Sequence, residues 1–279
     1  MAVFWYLDIV LQYAALLTFL VAAIAWVIGA WRNPVAAAPQ RESSLKEDAV
    51  ILPVLVYCSM FVVLAALVGF AVDGDAPTPA GVLIGSVAQA AGGATCLVLA
   101  AKHFRGGLPS FWLGPLHRGR WGRCALVGLV VTVLATGVCP EVLKLTVFVF
   151  EYFDSAGELP VHSTLRLLRE ETQPLAVTIT LWLGAVVIAP VAEELFFRGM
   201  IQTVVLNLTG RRVLAIGAAS IAFALAHTQQ YQAIPALLML AGLLGFAYEW
   251  TGSIVVPVVI HALFNFKTLV WDALARSAA

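Results

Sequence analysis

Long apolar runs separated by short polar joints organise this chain. A membrane-spanning helix needs about 20 mostly apolar residues. Seven stretches meet or approach that length: 9–31, 49–72, 80–101, 124–150, 174–192, 213–229 and 232–250. An eighth, 253–272, qualifies if His261, Asn265 and Lys267 are tolerated inside it. Turn formers mark the joints at Asn33-Pro34, Asp73 to Pro77, Gly106-Gly107, Thr209-Gly210 and Thr251-Gly252. Between the fifth and sixth runs, 195–208 is too short to span and predicts an interfacial or re-entrant helix. The pattern predicts an all-α, polytopic integral membrane bundle of about eight transmembrane helices plus that short helix. No internal repeat divides it, so residues 1–279 form a single membrane domain.

Composition agrees with the pattern. The chain has 279 residues, 61% hydrophobic and 11% charged, where a soluble domain carries about 25% charged residues. Charge placement says more than the zero net charge. Loop 102–123 holds Lys102, Arg105, Arg118, Arg120 and Arg123 with no acid, loop 32–48 holds Arg32, Arg41 and Lys46, and loop 73–79 only Asp73 and Asp75. Basic residues in short loops stay cytoplasmic, which directs the first two of these loops and the Arg211-Arg212 joint inward and both termini outward. The N-terminal residues lack the basic region and cleavage site of a signal peptide. Cys58, Cys96, Cys124 and Cys139 lie in apolar runs and read as small buried hydrophobes. Gly81 with Gly85, and Gly92-Gly93, suit close helix contact in lipid. Glu141 and Lys144, three apart, suit a structural ion pair.

The polar exceptions carry the chemistry. Glu193, Glu194 and Arg198 fall within six positions at the end of an apolar run, and His227, His261 and Asn265 lie in later ones. An ionisable group at membrane depth costs at least about 2.5–3.5 kcal/mol, so these six are expected to face one another in a cavity open towards the cytoplasm. Glu194 and Arg198, four apart, share a helix face and can pair, while Glu193 points about 100° away. Adjacent carboxylates resist double ionisation, so a carboxylate freed from arginine can work with an imidazole to hold and deprotonate a water. A second imidazole beside an amide offers two donors to a developing oxyanion. His261 and Asn265 could equally bond helix to helix. No Gly-x-Ser-x-Gly elbow occurs, and His103, His117 and His162 sit in loops without an evident role.

Glu-Glu-x-x-x-Arg, Phe-x-x-x-His and His-x-x-x-Asn, in that order across residues 174–272, resemble the signature of the CPBP family of intramembrane proteases. That family includes the type II CAAX prenyl endopeptidases and bacterial bacteriocin-processing and immunity proteins. The resemblance implies a catalytic core in 174–272, with the helices of 1–123 outside any recognised motif. It implies that Glu193 and His227 activate water, that His261 and Asn265 form the oxyanion site, and that Glu194 and Arg198 orient or support. The implied activity is endopeptidase cleavage of a peptide or protein substrate in or at the bilayer of a bacterial inner membrane, with no nucleic-acid partner. No catalytic metal is favoured. If zinc is used, His227, His261 and Glu193 are its ligands, an open three-ligand site. A non-catalytic scaffold or immunity protein using the same cavity is the alternative. A transporter fits less well, because the buried polar residues fall in one half rather than in paired repeats.

Overall fold

The apolar runs fold as helices in this computed structural model, which describes residues 6, 8–10, 12–19, 42–67, 78–114, 121–153, 162–170 and 173–277. In chain order they are α1 (Asp8–Phe19), α2 (Asp48–Leu67), α3 (Pro79–His103), α4 (Gly107–Leu113), α5 (Trp121–Phe153), α6 (Ser163–Leu168), α7 (Leu175–Thr209), α8 (Arg212–Leu225), α9 (Ile234–Thr251) and α10 (Val255–Arg276). A 3-10 link, Thr228–Ala233, joins α8 to α9. Among the described residues, six helical stretches are long and apolar enough to cross a membrane. Large apolar side chains such as Ile51, Leu55, Leu126, Leu129 and Phe148 are exposed while Glu194 and Arg198 are buried. That arrangement is inverted relative to a soluble protein. The molecule is an integral, multi-pass, all-α membrane protein. Most of the first predicted span, with Arg32, Asn33-Pro34, Arg41, Asp73 to Pro77, His117, Arg118 and Arg120, lies outside the described residues.

The segment 195–208 departs from expectation. It is no separate re-entrant helix but the second half of α7, which runs unbroken from Leu175 to Thr209. Helical backbone persists through Glu194 and Leu195 because two π-helical stretches, Gly184–Ile188 and Leu195–Gln202, let the rod turn its polar face without breaking. Pro190 explains the first of them. It has no amide and its ring crowds the preceding turn, and the Ala189 amide reaches back five residues to Gly184 O.

Close helix contacts set the site. A Cβ on Gly93 would stand 3.3 Å from Ala192 Cα, so α3 meets α7 backbone to backbone one residue before Glu193. Gly85 makes no such contact. Glu141 and Lys144 pair at 2.6 Å as expected. All four cysteines are free, Cys96, Cys124 and Cys139 buried and Cys58 exposed. Lys267, the cation in the last span, meets Asp8 of α1 at 2.6 Å and donates to Thr136 O.

Candidate active site

Glu193 and Glu194 sit mid-way along α7, and the first turn after them decides their roles. Arg198 Nη1 donates to Glu194 Oε1 at 2.8 Å, the i, i+4 pair that the spacing predicts, with both side chains 0% exposed. Further hydrogen bonds and ring contacts offset part of the cost of burying such a pair in an apolar interior. Arg198 Nη2 donates to Ala241 O of α9 at 3.1 Å, and its guanidinium carbon lies 4.9 Å from the centre of the Phe223 ring. Glu194 Oε2 and Arg198 Nε find no hydrogen-bond partner among the described residues.

His261 enters from α10. Its Nδ1 lies 2.9 Å from the same Glu194 Oε1, and its Nε2 approaches Glu193 Oε2 at 4.0 Å. An ionised carboxylate can only accept, so Nδ1 carries the proton and Nε2 faces the neighbouring glutamate. His227 ends α8 with its Nδ1 2.8 Å from Phe223 O. A carbonyl likewise only accepts, so His227 presents an unprotonated Nε2 when neutral. Phe223 is the common spacer: its ring centre is 4.7 Å from that of His227 and 5.8 Å from that of His261. No hydrogen bond or ion pair joins Glu193 to His227. Both are partly exposed, whereas Glu194 and His261 are buried.

Five of the six predicted residues thus gather around Phe223. Asn265 makes no hydrogen bond to the other five: its Nδ2 donates to Ala185 O of α7 at 2.9 Å. His261 and Asn265 both tie α10 to α7, the helix-to-helix bonding that their residue types also allow. One N–H of Asn265 and one ring nitrogen of His261 stay uncommitted. Zinc would need His227, His261 and Glu193 on one ion. Among the described residues no three His, Cys, Asp or Glu side chains form a ligand group.

Sequence reasoning missed four polar neighbours. Gln89 of α3 donates from Nε2 to Glu193 Oε1 at 3.5 Å. A lone amide in an apolar run was its signal. His162, dismissed as a loop residue, accepts the Thr164 amide at Nδ1 and so caps α6. Burial, and secondly the charge of His227, push its imidazole down to about 4. Gln202, one turn beyond Arg198, donates to Gly245 O at 3.1 Å and to Glu249 Oε1 at 2.8 Å, and Arg212 Nε lies 3.5 Å from Glu249 Oε2. A Cβ on Gly245 would come within 2.9 Å of Gln202 Oε1, so glycine makes that approach possible. The cost of a charge in lipid applied to Glu249 as much as to Glu193.

The polar core of this geometry falls inside a segment with known relatives. The family model described as type II CAAX prenyl endopeptidase Rce1-like matches residues 175–267. The chain is 33% identical over 97 residues to the membrane-embedded CAAX protease MroQ of Staphylococcus aureus (strain USA300), covering 33% of this chain and 39% of that protein. The chain therefore spans well under two thirds of that relative. No solved structure matches it. Residues 175–267 contain all six motif residues, and over that stretch the chain is similar to the type II CAAX prenyl endopeptidases.

Proposed function

We propose that the protein is an intramembrane endopeptidase of a bacterial cytoplasmic membrane. It hydrolyses a peptide bond of a membrane-associated or lipidated substrate without a catalytic metal. The observation that supports this most is the division of labour between adjacent glutamates. Glu194 is consumed by Arg198 and His261, while Glu193 keeps a partly exposed carboxylate beside an imidazole. Glu193 and the Nε2 of His227 hold a water between them and take its proton as oxygen attacks the scissile carbonyl carbon. The oxyanion is met by the free N–H of Asn265 and by His261 Nε2, which donates when the ring is doubly protonated and Glu194 carries the counter-charge. The proton held by the glutamate–histidine pair then passes to the leaving amine as the C–N bond breaks.

The test is purified protein in detergent, dialysed against a zinc chelator and assayed for cleavage and bound metal beside Glu193→Gln. Cleavage that survives chelation and disappears in the variant supports the reading. Loss that returns with stoichiometric zinc moves His227, His261 and Glu193 into ligand roles. A Glu193→Gln protein as active as wild type ends the enzyme reading and leaves a partner-binding scaffold.

A further inference from the structure

The site and the arginine-rich loops lie at different depths. At one end of the bundle, Ser44 N donates to His103 O at 3.0 Å, Asn207 Nδ2 to Leu45 O at 3.1 Å, and Ser253 Oγ to Trp112 O at 2.6 Å. Arg105 pairs with Glu42 there, and Arg123 lies over Trp250. These contacts gather the loop before α2, the ends of α3, α7 and α9, and the starts of α5 and α10. This is the end that carries Lys46, Lys102, Arg105, Arg123, Arg211 and Arg212. The opposite end is fastened by Arg169 to Asp272 at 2.7 Å, Arg276 to Leu168 O at 3.0 Å, and the Phe150 and Tyr231 rings 5.1 Å apart.

Helix lengths then place the site. The 14 residues of α8 start at the basic end and rise about 21 Å, against a hydrocarbon core about 30 Å thick. His227 follows its last turn, next to exposed Thr228 and Gln229 and to the link that carries Tyr231. Glu193 stands 16 positions before Thr209, about 24 Å from the basic end. The intervening space is filled. Arg198, Gln202 and Glu249 are buried there, and Phe111, Met200, Tyr248 and Ile254 pack into one apolar cluster. The way from the site to water is short towards the opposite end and plugged towards the basic one.

We propose that the site opens at the end opposite the arginine-rich loops. Since basic short loops remain cytoplasmic, the substrate is a peptide whose scissile bond is presented from the non-cytoplasmic leaflet. This reverses the orientation of the cavity expected from the sequence. Calling the occupant a substrate rests on the proteolytic reading; the direction of access does not. The test uses single-cysteine variants in a Cys58→Ser background, whose remaining cysteines are buried: Thr228→Cys and Glu170→Cys at the opposite end and Thr209→Cys at the basic end. Each is treated in intact spheroplasts with a membrane-impermeant maleimide, before and after permeabilisation, with and without Glu193→Gln. Positions 228 and 170 are expected to react in intact spheroplasts, and 209 only after permeabilisation, whether or not the protein cleaves anything. The reverse order, equal labelling of both ends, or silence at 228 and 170 even in broken membranes overturns the proposal. The expected order in a protein devoid of peptidase activity would support the access and sink only the protease reading.

Discussion

Asn265 donates to the carbonyl of Ala185 because Pro190 leaves that carbonyl without an amide. In the π-turn the Ala189 N–H goes to Gly184 O, and the residue five beyond Ala185 is the proline, which has none. The asparagine, 80 positions away, supplies the missing donor at 2.9 Å. One residue that breaks a helix rule thereby anchors α10 beside the site.

Pro190→Ala restores a backbone donor that competes with Asn265. Thermal stability should hold or rise, since proline costs about 3 kcal/mol in a helix interior. Cleavage should fall about tenfold as Asn265 loses its anchor. Stability and kcat of the purified variant decide it, and a variant with unchanged kcat would separate Asn265 from the chemistry.

Glu194→Ala leaves Arg198 buried and unpaired, which costs about 3–5 kcal/mol, so folded yield should collapse. The double variant Glu194→Leu/Arg198→Met removes both charges and should recover much of that yield. It should stay inactive, because His261 keeps no carboxylate on Nδ1. Size-exclusion profiles and cleavage rates separate the two effects.

Gln89→Leu removes the amide that holds Glu193 Oε1. Folded yield should change little, since the bond is long and partly exposed, while kcat/KM at neutral pH should drop about three- to tenfold, on the order of 1 kcal/mol. Gln89→Asn should recover little, its amide being one methylene short. An unchanged kcat/KM in Gln89→Leu would make Gln89 a packing residue only.

His162 makes the fold acid-sensitive in a defined window. Its imidazole is held down at about 4, below the ordinary 6.5, so the unfolded chain binds a proton that the folded one refuses. Stability should therefore fall as pH drops from about 6.5 to about 4, by on the order of 1–3 kcal/mol. His162→Asn, which keeps a capping side chain for the Thr164 amide, should flatten that slope. Thermal unfolding in detergent at pH 7 and pH 5 reads the difference, and equal slopes would refute the assignment.

The sequence by itself determined the class of fold and the six motif positions. Membrane spans and buried charges are one-dimensional signals: lipid forces about 20 apolar residues together, and a glutamate that interrupts them stands out by its cost. Spacing of four alone paired Glu194 with Arg198, because both lie on one rigid helix. Only the tertiary structure decided which groups from different helices meet. His261 on Glu194, Gln89 on Glu193 and Gln202 on Glu249 depend on where Gly93 and Gly245 let backbones close, which no local pattern encodes. The unbroken course of α7 escaped a reading by length for a related reason. Pro190 and the charges look like a stop in isolation, yet the Ala185 carbonyl freed by the proline finds its partner on α10 and not within α7 itself. Depth belongs to the same category, because it follows from which loops touch at each end, and contact between distant loops is decided by packing.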